Sequence, residues 1–124
     1  MGAGANTILV VDDQDGVRQL LYALLSSEGF QVATAGNGYE VLEYFEAFSP
    51  ELLIIDMKMP GMSGLDVLKE LKNREQHCVP IMMTAYGELE IIKEAMELGV
   101  NYFINKPFDI DRLRQFIKKV LKDV

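Results

Sequence analysis

The chain has 124 residues, the usual size of one domain, with 49% hydrophobic residues and a formal net charge of −7. That charge argues against nonspecific binding to nucleic acid or to an anionic membrane surface, because both need positive potential. The single cysteine, Cys78, excludes an internal disulfide and fits a reducing, cytoplasmic setting, and no apolar run approaches the ~20 residues needed to cross a bilayer.

Residues 1–7 carry no basic or apolar targeting region. They are expected to be a frayed tail before one domain over residues 8–124. A first strand is predicted over Ile8–Val11. A helix follows over Gly16–Glu28, with Val17, Leu20, Leu21, Leu24 and Leu25 recurring at helical spacing and Gly29 placed as a C-terminal stop. A second strand, Gln31–Ala35, leads to a helix over Tyr39–Phe48 that Pro50 ends. The third strand, Leu52–Asp56, is followed by a methionine-rich loop and a helix that Ser63 and Asp66 are placed to cap. A fourth strand over Pro80–Thr84 precedes a helix over Glu88–Leu98. The fifth strand is Tyr102–Asn105, and the last helix starts near Asp109.

Strands alternating with helices imply right-handed crossovers and a parallel sheet covered on both faces. The near-continuous apolar character of the third and fourth strands agrees with burial on both sides. The expected fold class is α/β: a doubly wound, flavodoxin-like (βα)5 domain with a five-stranded parallel sheet in the order 2-1-3-4-5.

That order brings polar residues from distant parts of the chain to one edge. Asp12 and Asp13 follow the first strand, Asp56 ends the third, Thr84 ends the fourth and Lys106 follows the fifth. Ligands of such sheets bind at the switch point outside the carboxyl ends of the strands. Two carboxylates at ~4 Å repel by roughly 4 kcal/mol at an effective dielectric of 20. The cluster therefore calls for cations, of which Lys106 is one. An all-oxygen donor set without histidine or cysteine selects Mg²⁺, with Mn²⁺ or Ca²⁺ as substitutes. The chemistry expected is phosphoryl transfer. Asp56 would be the nucleophile forming an aspartyl phosphate, and Asp12 and Asp13 would hold the metal, Asp12 through water. The Lys58 carbonyl would be a further ligand. Thr84 and Lys106 would stabilise charge on the transferring oxygens.

Asp12-Asp13, the Asp56-Met57-Lys58-Met59-Pro60-Gly61 loop, Thr84-Ala85 and Lys106-Pro107-Phe108 together resemble the receiver domains of two-component response regulators, over about Ile8 to Leu121. The resemblance implies the same metal and phosphoryl roles, a cis Lys106-Pro107 bond and a switch aromatic at Phe103. Val11-Asp12-Asp13-Gln14 and Met83-Thr84-Ala85-Tyr86-Gly87-Glu88-Leu89-Glu90 further resemble stand-alone receivers of sporulation phosphorelays. This implies a monomer that accepts phosphate from a sensor histidine kinase and passes it to a histidine on a four-helix-bundle phosphotransferase. It also implies a docking face of Gln14, Gly16, Val17, Leu20, Leu21, Tyr86, Pro107 and Phe108. Such a protein is a phosphotransfer intermediate rather than a turnover enzyme on small substrates. Asp15 and Phe103 depart from that narrower pattern, where tyrosine and histidine are expected.

No output domain is expected after the last helix, so the phosphorylated form is expected to be read by another protein or to pass its phosphate on. Two alternatives stand beside the relay. One is a chemotaxis-type switch that binds a target when phosphorylated. The other is a flavin-binding flavodoxin-like domain, which the acidic loop Asp12-Asp13-Gln14-Asp15 argues against because it repels a phosphate in the absence of metal. His77, before the fourth strand, is read as a plain loop residue.

Overall fold

The computed structural model describes residues 7–85, 88–107 and 109–121. Ten elements alternate along the chain: β1 (Thr7–Val11), α1 (Asp15–Ser27), β2 (Gln31–Ala35), α2 (Gly38–Ala47), β3 (Leu52–Asp56), α3 (Gly64–Asn73), β4 (Val79–Thr84), α4 (Leu89–Glu97), β5 (Tyr102–Asn105) and α5 (Ile110–Leu121). The strands form one parallel sheet in the order β2-β1-β3-β4-β5, as expected. Thr7, assigned to the tail by sequence, pairs with Gln31 and opens β1.

The apolar strands separate two cores by simple alternation. Ile8, Val10, Leu52, Ile54, Ile81 and Met83 face Leu21 and Leu25 of α1 and Leu113, Ile117 and Leu121 of α5. Leu9, Val11, Leu53, Ile55 and Met82 face Val41 and Phe45 of α2, Leu65 to Leu71 of α3 and Ala95 of α4. A strand buried on both sides has no polar face to show, hence the unbroken runs Ile8–Val11 and Leu52–Ile55.

The apolar stripe of α1 is only partly covered. Leu20 is 49% exposed, while Leu21 and Leu25 are fully buried. Two adjacent helical residues are about 100° apart, so a five-residue apolar stripe is wider than the surface that β1 and α5 cover.

The helix ends are fixed by local chemistry. The Gly29 amide bonds Ser26 and the Phe30 amide bonds Leu25. Gly29 has φ +96°, which a side chain would disfavour. Ser63 and Asp66 form a reciprocal capping box at the start of α3. The next residue, Gly64, is held against β3: a Cβ there would lie 2.5 Å from the Asp56 carbonyl oxygen. That close approach, with the Gly64 amide donating to the Met57 carbonyl at 2.9 Å, fixes the loop that follows Asp56.

Candidate phosphoryl-transfer site

The carboxyl ends of β1, β3, β4 and β5 converge as the strand order requires. Asp12, Asp13 and Asp56 each present a carboxylate oxygen, all within 4.8 Å of one another. Asp12 is fully buried and Asp56 nearly so, whereas Asp13 is exposed. At 4.8 Å two such charges repel by roughly 3.5 kcal/mol at an effective dielectric of 20, so the arrangement needs compensation from within the site.

Lys106 supplies part of it. Its ammonium lies 2.5 Å from Asp12 Oδ2 and 3.2 Å from Asp56 Oδ2. Burial works against the charged ammonium, but the hydrogen bond to Asp12 and the charges of Asp56 and Asp12 outweigh it, and the Lys106 pKa is raised. Asp56 moves the same way for another reason. Burial raises its pKa most; Lys106 opposes that, and the neighbouring Asp12 charge adds to it. A raised proton affinity goes with a more basic, more nucleophilic carboxylate oxygen, which suits Asp56 to attack on phosphorus.

The two oxygens of Asp12 are already engaged. Oδ1 accepts the Gln14 amide at 2.9 Å and Oδ2 the Lys106 ammonium, while the Asp12 carbonyl accepts Arg18 Nη1 at 2.7 Å. Asp13 is open to water. The donor set is three hard oxygens with no nitrogen or sulfur ligand, which fits the Mg²⁺ site of a receiver.

Thr84 is buried at the end of β4, and its hydroxyl donates to Asn105 Oδ1 at 2.9 Å. The Lys106 amide donates to the Thr84 carbonyl at 2.8 Å, and the Lys106-Pro107 bond is cis. Phe103 is half-buried on β5 and packs against the core beneath α2, α3 and α4. Lys58 is exposed. Its amide reaches Asp56 Oδ1 at 3.4 Å, but its ammonium pairs with Glu88 Oε2 at 2.7 Å. The hydrogen bond to Glu88 raises the Lys58 pKa, and the same bond lowers that of Glu88.

The predicted docking residues divide. Gln14, Val17, Leu20 and Pro107 line one open cavity of about 470 Å³ together with Lys106 and Ile110. Gly16 is exposed on the same helix. Leu21 is fully buried under β1 and belongs to the core, so it offers no docking surface. Tyr86 and Phe108 lie outside the described residues. His77 is exposed before β4, as expected of a loop residue.

Sequence reasoning missed Arg18, Asn105 and Glu88. Arg18 lies one turn into α1 and reaches back to the strand end. Asn105 precedes Lys106 and so shares the strand tip, a signal that was present in the chain. Glu88 sits four residues after Thr84, and nothing in its spacing points to Lys58.

Among the described residues, no helix is long and apolar enough to cross a membrane. Residues 8–118 match the response regulator receiver domain family. The chain is 46% identical over 114 residues to sporulation initiation phosphotransferase F of Bacillus subtilis, covering 92% of each. It is 37% identical over 118 residues to chemotaxis protein CheY of Bacillus subtilis, covering 94% of this chain and 98% of that one. The structure superposes on a response regulator receiver protein from Pseudomonas putida with a TM-score of 0.89 and 29% identity, over 94% of this chain and 98% of that one. Receivers work with histidine kinases and carry an acidic pocket at the site of aspartyl phosphorylation; with that pocket at the strand ends and the family match spanning nearly all of its length, the chain belongs to the response regulator receiver domains.

Proposed function

We propose that this chain is a single-domain response regulator of a phosphorelay, with residues 8–124 as its one receiver unit. Asp56 accepts a phosphoryl group from a sensor histidine kinase and yields it to the histidine of a four-helix-bundle phosphotransferase, in a relay that controls sporulation. The setting is cytoplasmic and the working form a monomer. The observation that carries the chemistry is Asp56 itself: a buried carboxylate with a raised pKa, 3.2 Å from an ammonium.

In the forward step an Asp56 oxygen attacks phosphorus as the bond from phosphorus to the donor imidazole nitrogen breaks. The electron pair returns to that nitrogen, and the imidazole leaves neutral because its other nitrogen keeps its proton. Lys106 stays beside the reacting oxygen and meets the charge gathering on the phosphoryl group. The Thr84 hydroxyl, which now donates to Asn105, turns towards a phosphoryl oxygen, and the Phe103 ring follows that turn. A divalent ion held by Asp13 and Asp56, by Asp12 through water and by the Lys58 carbonyl would offset the crowding of the carboxylates and neutralise phosphoryl charge.

Two observations support the relay. The 46% likeness to sporulation initiation phosphotransferase F covers 92% of each chain. The cavity between α1 and the segment after β5 is largely apolar, opens beside Lys106 and includes the exposed Leu20, a surface suited to an amphipathic helix. Gln14, Gly16, Val17, Leu20, Tyr86, Pro107 and Phe108 would form the docking face.

The test is labelling with acetyl phosphate and Mg²⁺, followed by addition of a histidine phosphotransferase. Label is expected on the parent and absent from Asp56→Asn, and is expected to move onto the phosphotransferase histidine. An Asp56→Asn variant labelled as strongly as the parent refutes the nucleophile. The likeness to chemotaxis protein CheY favours a second reading, a switch without onward transfer. Label that stays on this chain while a target binds only the phosphorylated form would select it.

A further inference from the structure

Glu88 is a carboxylate beside the site that the phosphoryl chemistry does not use. It is mostly buried, with 9% of its side chain exposed, and it holds two donors at the mouth of the pocket. Oε2 lies 2.7 Å from the Lys58 ammonium, and Oε1 accepts the Ala85 amide at 3.0 Å. Lys58 is two residues beyond Asp56, and its own amide already reaches the Asp56 carboxylate. Ala85 is the residue after Thr84. The two donors thus flank the reacting carboxylate from the ends of β3 and β4, and one carboxylate on a third segment occupies both.

An ammonium and a backbone amide converging on a single anion form a small oxyanion receptor. We propose that Glu88 is a tethered stand-in for the phosphoryl group: in the unphosphorylated chain its carboxylate fills the receptor made by Lys58 and the Ala85 amide, and a phosphoryl group on Asp56 displaces it. The proposal rests on the reading of Asp56 as the phosphorylated residue. Lys58 has 71% of its side chain exposed, so little packing fixes its stem and it can exchange one anion for another. Glu88 has more to lose. Once its cation is gone, a nearly dry carboxylate is left unpaired, which is unfavourable, and it moves out to water. The Glu88 carbonyl accepts the Ile92 amide at 3.1 Å, so its displacement acts on the first turn of α4. Glu88 is therefore a positioning residue that makes phosphorylation and the start of α4 alternatives for the same two donors.

The experiment titrates ¹⁵N-labelled protein with beryllofluoride in the presence of Mg²⁺, reading the Kd and the Ala85 amide shift. Glu88→Gln keeps an acceptor for Ala85 but loses the ion pair. It is expected to bind about threefold tighter than the parent, the scale of a partly exposed ion pair. Glu88→Ala frees both donors and is expected to bind tighter still, with the Ala85 amide of the free protein moved away from its parental position. Glu90→Gln, an exposed neighbour on α4, controls for loss of negative charge and is expected to match the parent. In a Lys58→Met background the gain from Glu88→Gln should vanish. Glu88 variants that bind no tighter than the parent, or a gain equalled by Glu90→Gln, overturn the proposal and leave Asp56 in place. A parent that binds beryllofluoride no better than Asp56→Asn overturns the reading of Asp56, and the stand-in with it.

Discussion

Replacing Lys106 by methionine keeps an apolar stem and removes the ammonium. Asp12 is then a wholly buried carboxylate stripped of the partner 2.5 Å away, with only the Gln14 amide left on its other oxygen. Breaking a buried pair from one side costs about 3–5 kcal/mol. The Lys106 side chain is 23% exposed, so the lower end applies: about 3 kcal/mol, or about 12 °C in Tm for a chain of this length. The assay is urea unfolding at pH 7.5 with divalent cations chelated, comparing the parent, Lys106→Met, Asp12→Asn and the double variant. If the loss comes from an uncompensated charge, Asp12→Asn in the Lys106→Met background restores most of it, because the amide keeps the Gln14 hydrogen bond without the charge. A Lys106→Met variant within about 1 kcal/mol of the parent, or a double variant weaker than either single one, refutes the argument.

Asp56→Asn has a definite pH signature. The folded-state pKa of Asp56 is raised, chiefly by burial, so its contribution to stability is fully present below the unfolded value of about 3.9. It is lost as pH rises through the folded value. Thermal melts in chelator are therefore expected to show Asp56→Asn gaining on the parent from pH 4 to pH 7, and a gap that shrinks over that range contradicts the burial argument. Gly64→Ala places a methyl 2.5 Å from the Asp56 carbonyl and 3.0 Å from Met57 Cα. Backbone atoms yield less readily than side chains, so a loss of about 2 kcal/mol is expected in urea titrations. Gly16→Ala, where a Cβ meets nothing within 4 Å, serves as the control and is expected to be neutral or up to about 1 kcal/mol more stable.

The reacting groups were legible because topology, not side-chain detail, brings them together. Once the apolar runs ending at Val11, Asp56, Thr84 and Asn105 are parallel neighbours, their next residues have nowhere else to go. Which way a long or rotatable side chain turns is another matter. Thr84 is where the strand order puts it, yet its hydroxyl serves Asn105, a choice made by one rotamer. Lys58 follows Asp56 as the loop requires, yet its ammonium spans to Glu88, which depends on how α4 begins. Leu20 and Leu21 were read alike because periodicity reports a stripe's direction and not its width. The width is set by what packs on α1.

The two alternating cores bear on how such a chain can diversify. The groove of Val17, Leu20, Pro107 and Ile110 rests on the core shared by α1 and α5, whereas Lys58 precedes α3 and Glu88 precedes α4, on the other side of the sheet. The strands lie between them, and the sides meet only along the row of strand tips. Gln14 and Lys106 belong to both regions, but substitutions at Val17, Leu20 or Ile110 on one side and at Lys58 or Glu88 on the other are separated by a close-packed layer, so their effects should be nearly additive. A lineage can then change whom the protein meets through Val17, Leu20 and Ile110 without disturbing how it holds its phosphate.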